Sequence, residues 1–486
     1  MSTAPSSWDD LEIPGVILEI PDFHHVLRRL AMTLWQQGET LELTITGLSS
    51  SGDGVGRWEN RVVFVPDTVP GDHIQARLVF VKPTFGRGKL LEVREPGRDR
   101  VRPPCIVADK CGGCQWQTLT YEAQLTAKEH QVMEALQRVG GFSDVKLDPI
   151  LAAENPLSYR NKATYPLGVS AEGTVKAGYY RKGTHQIVNL NQCPVQDDRL
   201  DPLLAEVKQD IQTQGWPIYD ETTHSGLLRH LVLRVGRRTG EILLTLVSTT
   251  WDLPNLEQVA AEWKERYPAL AGVCVNRNPD QTNAIFGPET QYVVGRPFLE
   301  ERFAGLRFHI YPTTFFQVHT EQAELLVRCI LDHLKLQGRE TVVDAYCGIG
   351  TLTLPLARRV GYCLGLEMQA EAVEVASENA QLNGIENISF QVGTVATLLP
   401  RVTKILGGEQ PDVVVLDPPR KGCEAGVLEA LLTLRPQHIV YMSCNPATLA
   451  RDLKQLCGGG YHLSRVQPAD FFPHTAHVEC VAFLVA

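Results

Sequence analysis

The chain has 486 residues, which is enough for about two to four domains that each bury their own core. Its hydrophobic fraction of 43% and its charged fraction of 21% are those of ordinary globular proteins. The net charge of −10 argues against a generally basic nucleic-acid binder, although a local basic patch can still contact phosphates.

The sequence shows no sign of a membrane span or of secretion. It contains no run of about 18 uncharged apolar residues. The first ten residues are polar and acidic, whereas a secretory leader begins with a basic and then an apolar stretch. We therefore expect a cytoplasmic protein without a membrane span. Its twelve cysteines are then expected to be reduced thiols, metal ligands or catalytic groups.

The N-terminal part divides into an extension and a small β domain. Residues 1–40 form the extension, in which His24 to Gln37 is a candidate amphipathic helix. Residues 41–102 predict a compact β-barrel, because β-rich runs alternate with clusters of Gly, Ser, Pro and Asp. We interpret Gly47 to Gly56 as a flexible turn. The predicted strands are Leu41–Ile45, Arg61–Val65 and His73–Phe80.

A basic strip lies at the end of this barrel. From Arg77 to Arg102 there are eight Lys or Arg and three Asp or Glu, a local net charge of +5. Such a strip is either a solvated face or a binding surface for phosphates. A small barrel with basic edges is a common way to grip single-stranded or looped RNA. We therefore expect the barrel to bind RNA.

The next segment, residues 103–315, predicts a β-rich middle domain. It opens with a group of cysteines, followed by helical periodicity from Tyr121 to Val139. Strands such as His230–Val235 and Glu241–Val247 then alternate with polar turns. A further helix is expected near Asn255–Arg266.

From residue 316 the pattern changes to alternating strands and helices, which predicts a parallel, doubly wound sheet. A helix over Thr320–Leu336 precedes it. Ligands in such sheets bind outside the carboxyl ends of the strands. The predicted strands are Thr341–Val343, Cys363–Leu366, Ile388–Gln391, Val413–Leu416, His438–Ser443, Tyr461–Pro468 and Val478–Val485.

A candidate cofactor site follows the first of these strands. The turn Asp344-Ala-Tyr-Cys-Gly-Ile-Gly350-Thr contains Gly348 and Gly350, which let the backbone approach a ligand closely. Glu367 ends the second strand, where an acidic residue can hold both hydroxyls of a ribose. Together the two features favour an adenosine-bearing cofactor.

The turn Asp417-Pro-Pro-Arg420 ends the fourth strand and fixes a carboxylate at the boundary between cofactor and substrate. In methyltransferases that act on amino groups, an aromatic residue follows a turn of this kind and stacks on the target base. Arg420 takes that place here, so methylation of nitrogen is disfavoured.

The C-terminal part of the sequence contains a candidate nucleophile and a candidate base. Cys444 follows the fifth strand within Ser-Cys-Asn-Pro. A lone cysteine there is more often a small buried hydrophobe, but the neighbouring turns favour an exposed nucleophile. A thiolate that adds to C6 of uracil turns C5 into an enolate carbon that can attack a methyl group. The C5 proton must then be removed, for which Glu479 is the candidate and Asp417 the rival.

Four cysteines form a separate group in the N-terminal half. Cys105, Cys111 and Cys114 lie close together, and Cys193 precedes a proline. A set of four cysteines suits either zinc or an iron–sulfur cluster, and spacing does not decide between them. Four unligated structural thiols are the simpler alternative, which is disfavoured because no other cysteine lies in that half of the chain.

Taken together, these motifs resemble the RNA uracil-5-methyltransferase family, and most closely its iron–sulfur branch, which includes the bacterial 23S ribosomal RNA enzymes. The resemblance covers about residues 41–486. It implies a TRAM-like RNA-binding barrel, a Rossmann-like domain that binds S-adenosylmethionine, Cys444 as nucleophile and Glu479 as base. It also implies that Cys105, Cys111, Cys114 and Cys193 hold a [4Fe-4S] cluster. The implied cofactor contacts are Gln317, Tyr346, Gly348, Gly350, Thr351, Glu367 and Asp417.

Three positions depart from the family pattern. His319 stands where asparagine is more usual after Phe-Phe-Gln-Val, and Thr351 replaces a frequent asparagine. Gly393-Thr394 falls where many members carry an acidic residue near the adenine. The last two departures concern cofactor contacts and leave the chemistry of Cys444 unaffected.

The expected substrate is a uridine of 23S ribosomal RNA, modified by a monomeric enzyme. The closest rival substrate is a uridine in the T-loop of transfer RNA. A cytosine-5 RNA methyltransferase resembles the residues around Cys444 less well. A protein of a different class, an inactive iron–sulfur factor that binds or folds RNA, is disfavoured by the intact pair Cys444 and Glu479.

Overall fold

The computed structural model describes residues 35–486. The extension 1–34, with most of the candidate helix His24 to Gln37, lies outside the described residues. Residues 35–37 are described, and they form a bend and a turn rather than the end of a helix. Among residues 35–486, no helix combines the length and apolar composition that crossing a bilayer requires.

The N-terminal unit is a closed five-stranded barrel with the strand order β1-β2-β3-β5-β4. All neighbouring strands are antiparallel except β3 and β5. Alternate residues of β1 and β4 point inward, so that Leu43, Ile45 and Ile74 lie in the barrel core. The strands are β1 (Thr40–Leu48), β2 (Gly54–Trp58), β3 (Arg61–Val65), β4 (His73–Val81) and β5 (Phe85–Glu95).

The interpretation of Gly47 to Gly56 as a turn was wrong at both ends. β1 continues to Leu48 and β2 starts at Gly54, so the turn is confined to residues 49–53. The glycines of β2 serve packing rather than flexibility. A Cβ at Gly54 would lie 1.9 Å from Thr68 Oγ1, and one at Gly56 would lie 2.6 Å from Leu43 Cδ1.

The helix predicted over Tyr121–Val139 is present but changes form near its end. It runs as helix α1 (Tyr121–Ala135) and continues as a π-helical segment (Leu136–Gly140). Gly141, with a φ of 76°, ends it in the left-handed conformation. Val132 and Leu136 pack into the core of the C-terminal sheet. This helix therefore joins the middle region to the C-terminal domain.

The middle region is built on a seven-stranded sheet of order β12-β11-β10-β9-β6-β7-β8. Its strands are antiparallel except for the pair β10 and β11. Helices α2 (Asp201–Gln214) and α3 (Leu256–Arg266) pack on this sheet through buried apolar residues. The strands are β6 (Lys162–Val169), β7 (Val175–Tyr180), β8 (Ile187–Asn189), β9 (Leu228–Val235), β10 (Ile242–Ser248), β11 (Leu270–Arg277) and β12 (Glu289–Gly295).

A hairpin connects this sheet to the C-terminal domain. Its strands are β13 (Leu299–Phe303) and β14 (Leu306–Ile310). Their buried side chains share a core with the C-terminal sheet. By packing, the hairpin thus belongs with the C-terminal domain, although it precedes residue 316, where we placed the start of that domain.

The C-terminal domain is a seven-stranded sheet of order β17-β16-β15-β18-β19-β21-β20. It is parallel except for β21, which runs antiparallel to both of its neighbours. The predicted strands are all present, most of them within one or two residues of the expected bounds. The strands are β15 (Thr341–Ala345), β16 (Tyr362–Glu367), β17 (Ile388–Val392), β18 (Val413–Leu416), β19 (His438–Ser443), β20 (His462–Ala469) and β21 (Glu479–Val485).

Helices cover both faces of this sheet, which confirms the doubly wound, Rossmann-like architecture. The two cores on either side are rich in Val, Leu and Ile from the strands, as parallel sheets require. The helices are α4 (Thr320–Leu334), α5 (Thr353–Ala357), α6 (Ala370–Leu382), α7 (Val395–Leu398), α8 (Val402–Ile405), α9 (Ala425–Leu434) and α10 (Pro446–Gly458).

Candidate active site

The loop after β15 has the tight geometry expected of a cofactor-binding turn. Three of its residues have positive φ angles: Tyr346 at 74°, Gly348 at 53° and Gly350 at 88°. A side chain at Gly350 would place its Cβ 2.2 Å from Leu354 Cδ1, so only glycine fits there. The amide of Tyr346 donates to the carbonyl of Leu366 on the neighbouring strand at 2.9 Å. The loop is therefore held tightly against the sheet.

A cavity lies in front of this loop. Its wall contains five of the residues predicted to bind the cofactor: Gln317, Tyr346, Gly348, Thr351 and Asp417. Apolar side chains such as Leu352, Met442 and Phe471 line it as well. Phe315 also lines it and is 63% exposed. Phe315 is the first residue of the Phe-Phe-Gln-Val run, and the sequence does not show that its side chain is exposed beside the cavity.

The other two predicted cofactor residues, Gly350 and Glu367, are not among the residues that line the cavity. The Glu367 carboxylate accepts hydrogen bonds from the amides of Gly348 at 3.1 Å and Gln369 at 2.9 Å. It thereby ties the glycine loop to the end of β16. Its predicted contact with the ribose hydroxyls stays a prediction.

Two carboxyl groups in the cavity wall have raised pKa values. Asp344 Oδ2 accepts a hydrogen bond of 2.6 Å from Thr353 Oγ1, while its Oδ1 is buried without a partner among the described residues. Burial raises the pKa of Asp344 to about 7. Burial, and then the charge of Asp344, raise the pKa of Asp417 to about 7. Asp344 was not among the predicted site residues, although its place at the end of a predicted strand is a signal that could have found it.

Cys444 and Glu479 come together through the pairing of β19 with β21. The antiparallel register pairs Ser443 with Cys480. Cys444 therefore leaves β19 beside the start of β21, whose first residue is Glu479. The charge of Glu479 acts on the Cys444 thiol, as expected of neighbouring groups. The candidate nucleophile and the candidate base, 35 residues apart in the sequence, are thus neighbours.

Burial and the neighbouring carboxyl groups raise the pKa values of both members of this pair. Burial, and then the negative charge of Glu479, raise the pKa of the Cys444 thiol to about 11, and Arg420 opposes that shift. Glu479 is only 6% exposed. Burial, and then the charge of Asp417, raise its pKa well above the usual range, again opposed by Arg420. One cation and two carboxyl groups therefore surround the thiol.

Arg420 connects the loops that carry this chemistry. Its Nη2 donates to His477 Nδ1 at 2.8 Å. Burial, and then the nearby charge of Arg420, lower the pKa of His477, so its neutral ring can accept this bond. The Arg420 carbonyl accepts from Asn445 Nδ2 at 3.2 Å, and Asn445 Oδ1 caps α10 by accepting from the amide of Ala447. The Asp-Pro-Pro-Arg turn, the nucleophile and the base are thus held together.

Two of the positions that depart from the family pattern have clear structural settings. His319 is buried, stacks on Tyr159 with ring centroids 4.6 Å apart, and has Nδ1 3.3 Å from the carbonyl of Phe471. Burial lowers its pKa to about 4, so the ring is neutral. The amide of Gly393 donates to the carbonyl of Glu367 at 2.9 Å.

The four N-terminal cysteines line a single cavity in the middle region. All four are free thiols of intermediate exposure. Burial, and the negative charges of the neighbouring thiols, raise the pKa of Cys114 to about 11 and that of Cys193 to about 12. As their side chains stand, no group of three or more His, Cys, Asp or Glu within residues 35–486 has the geometry to hold a metal ion.

The basic strip is only partly available to a ligand. Arg100 donates to Asp72 at 2.6 Å, and Arg94 contacts Glu92 at 2.8 Å, so these two cations stabilise the barrel itself. Phe80, which lies beside the remaining cations of the strip, is 41% exposed. Besides Arg94, the exposed cations on and between β4 and β5 are Arg77, Lys82, Arg87 and Lys89.

Comparison with known proteins identifies both ends of the chain. Residues 289–486 match the family described as tRNA (Uracil-5-)-methyltransferase, and residues 34–91 match the TRAM domain. An uncharacterized RNA methyltransferase of Nostoc sp. (strain PCC 7120) is 61% identical over 457 residues, covering 94% of this chain and 98% of that protein. One from Bacillus cereus (strain ATCC 10987) is 41% identical over 449 residues, covering 92% of this chain and 97% of that protein.

A solved structure shares this architecture. It is the tRNA (uracil-54, C5)-methyltransferase of Pyrococcus abyssi in complex with S-adenosyl-L-homocysteine, which is 26% identical. The TM-score is 0.73, and the match covers 92% of this chain and 100% of that one. With relatives this similar along nearly its whole length, the chain belongs to the RNA uracil-5-methyltransferase family, as an S-adenosylmethionine-dependent RNA methyltransferase whose N-terminal barrel is a TRAM domain.

Proposed function

We propose that this protein methylates C5 of a uridine in 23S ribosomal RNA through a covalent bond between Cys444 and C6 of the uracil. The observation that supports this proposal is the pairing of Ser443 with Cys480, which leaves Cys444 and Glu479 as neighbours at the end of β19 and the start of β21. Asp417 lines the cofactor cavity and acts electrostatically on both residues. A uracil between the thiol and the cavity would have C6 toward Cys444 and C5 toward the methyl donor.

In the proposed mechanism, Cys444 and Glu479 act in different steps of the reaction. The Cys444 thiol loses its proton to solvent, the thiolate forms a bond to C6, and the electrons of the C5–C6 double bond move into an enolate at O4. S-adenosylmethionine would supply the electrophilic methyl group that C5 attacks, and the bond from that methyl group to the sulfonium sulfur would break as the bond to C5 forms. The Glu479 carboxylate then takes the proton from C5, the C5–C6 double bond re-forms, and the C6–S bond breaks. The thiolate is restored and one proton is released for each methyl group transferred.

The cofactor cavity suits the proposed contacts. The buried Asp344 Oδ1 has no hydrogen-bond partner among the described residues, and a cationic ligand group would satisfy it. The residues that we assign to cofactor binding are Gln317, Tyr346, Gly348, Gly350, Thr351, Glu367 and Asp417. Asp417 lies where cofactor and substrate would meet.

We also propose that Cys105, Cys111, Cys114 and Cys193 hold a [4Fe-4S] cluster. Four thiols in one cavity, none of them in a disulfide, are the donor set that such a cluster requires. Bound thiols must be deprotonated, so the raised pKa values of Cys114 and Cys193 belong to the metal-free protein. The role we assign to the cluster is structural, since its cavity is separate from the cofactor cavity.

Protein purified without oxygen is expected to be brown and to contain about four irons per chain. Cys111→Ser should lose them, because serine is a poor ligand for the cluster. Iron and zinc analysis by mass spectrometry, together with the visible spectrum, checks this. The matched control is Cys329→Ser, a thiol of similar exposure on α4. Zinc in place of iron would overturn the cluster and favour a zinc site.

The substrate has one serious rival, a uridine in the T-loop of transfer RNA. It is supported by the similarity of the whole chain to an enzyme named for uracil 54 of tRNA. Mass mapping of 5-methyluridine in ribosomal and transfer RNA from a deletion strain distinguishes the two. Loss confined to 23S RNA is the expected result. Loss confined to transfer RNA would transfer the assignment to the T-loop, and no loss in either would favour an inactive RNA-binding factor.

A further inference from the structure

Helix α1 buries a polar face. Gln124 and Lys128 are both fully buried, and with Val132 they follow one another at four-residue intervals along one side of the helix. A fully buried lysine is rare and costly unless its charge is paired and hydrogen-bonded. Buried polar groups at these positions therefore indicate specific partners. Those partners lie some 350 residues further along the chain.

Lys128 holds the start of the segment that leads to Glu479. We call residues 470–478, between β20 and β21, the base loop. Lys128 Nζ donates to Asp470 Oδ1 at 2.5 Å and to the carbonyl of Phe472 at 3.0 Å. Both side chains of this ion pair are fully buried. Asp470 Oδ1 also accepts from the amide of Phe472 at 3.2 Å. The first turn of the base loop is thus anchored to α1.

Gln124 holds the middle of the base loop. Its Oε1 accepts from the amide of His474 at 2.7 Å, and its Nε2 lies 3.2 Å from His474 Nδ1. The same Nε2 donates to the carbonyls of Leu119 at 2.8 Å and Trp116 at 3.1 Å. One buried amide therefore connects α1, the segment after the cysteines and the base loop.

His474 is held in a conformation that it would not readily adopt alone. Its φ is 66°, in the left-handed region that non-glycine residues rarely occupy. Its carbonyl accepts from the amides of Gln115 at 3.1 Å and Trp116 at 2.9 Å. Gln115 directly follows Cys114, one of the proposed cluster ligands. The four-cysteine region therefore helps to set the shape of the base loop.

The end of the base loop connects the fixed conformation of His474 to the active site. The amide of His477 donates to Thr475 Oγ1 at 3.2 Å, and the His477 ring accepts from Arg420 at 2.8 Å. Glu479 follows two residues later and begins β21. A shift at His474 would thus move both Glu479 and the cation beside Cys444.

We propose that Gln124 and Lys128 are positioning residues for the removal of the C5 proton. They fix the base loop so that the Glu479 carboxylate stays within reach of C5 while the C6–S bond breaks. The amide of Gln115 donates to the His474 carbonyl, so the position of the base loop also depends on the four-cysteine region. This inference rests on the proposed role of Glu479 as the base.

The test compares Gln124→Met with Gln137→Met. Methionine keeps the length of glutamine but removes its hydrogen bonds, and Gln137 is an exposed glutamine in the π-helical continuation of α1. Gln124→Met is expected to lower kcat by about tenfold or more, while kcat/KM for RNA stays within about threefold because the slowed step follows methyl transfer. Because proton removal becomes slow, a methylated RNA–protein adduct that survives denaturing gels should accumulate. Gln137→Met should match the wild type.

A purely structural role would give a different pattern. Gln124→Met would then lower the Tm and the amount of active enzyme without accumulating adduct, and that outcome would overturn the inference. If the variant does not fold, the double variant Lys128→Met, Asp470→Asn replaces it, since it removes both buried charges and leaves neither unpaired. The adduct is the deciding measurement there as well.

Glu479→Gln, assayed alongside, separates this inference from the function on which it rests. If Glu479→Gln accumulates adduct and the α1 variants do not, the positioning role is wrong and the proposed function stands. If Glu479→Gln turns over normally, Glu479 is not the base and both assignments fail.

Discussion

Replacing Cys444 by alanine is expected to abolish methylation of RNA while leaving the binding of S-adenosylmethionine nearly unchanged. In the proposed reaction the Cys444 thiol is the group that activates C5, and it lies directly after the residue that pairs with Cys480, next to Glu479. Cys444 is not among the residues that line the cofactor cavity, so its removal should leave that cavity intact. Methyl transfer from labelled cofactor to RNA and calorimetric titration of the cofactor measure the two effects.

The matched control is Cys457→Ala, which removes a thiol of similar exposure at the end of α10 and should retain full activity. Activity of Cys444→Ala within tenfold of the wild type would contradict the assignment, because a tenfold change corresponds to only about 1.4 kcal/mol of barrier. Loss of cofactor binding in the same variant would instead show that Cys444 supports the cavity.

The C-terminal sheet was predictable because its strands are short apolar runs between helices. Val413–Leu416 and His438–Ser443 have the predicted bounds, since a strand buried on both faces has an uninterrupted apolar sequence. Because ligands bind at the carboxyl ends of parallel strands, the sequence also predicted that the Asp344 turn, Asp417 and Cys444 lie at one edge of the sheet. The proximity of Glu479 to Cys444 depends on an antiparallel last strand that pairs with β19, which the alternating pattern does not specify.

The bounds of the first barrel strands were predicted less well, because a glycine can either form a turn or lie in a strand where there is no room for a side chain. Gly54 and Gly56 suggest a turn in the sequence, yet they lie in a strand where other chain segments approach too closely for a Cβ. Which role a glycine has depends on neighbours that the sequence does not reveal. The same holds for α1, where Gln124 and Lys128 look like solvent-facing residues and are fully buried against the base loop.

Replacing Glu479 by glutamine is expected to stop the reaction after methyl transfer. Glutamine is close to glutamate in shape, so the buried site should remain packed while the base is lost. Cys444 can still add to C6, and C5 can still accept the methyl group. The C5 proton then has no acceptor, and the C6–S bond cannot break. A methylated RNA–protein adduct should therefore accumulate and survive denaturing gel electrophoresis.

The double variant Glu479→Gln, Cys444→Ala is the control, since it should form no adduct. Mass spectrometry of the digested adduct should find one added methyl group on the uracil bound to Cys444. Normal turnover of Glu479→Gln would make Glu479 a structural carboxylate and leave Asp417, whose pKa of about 7 suits a base, as the better candidate. An inactive variant without adduct would mean that Glu479 acts before C6 is attacked, by placing the uracil against the thiol. An adduct without the methyl group would place the block at methyl transfer, so the mass of the trapped species decides which step needs the carboxylate.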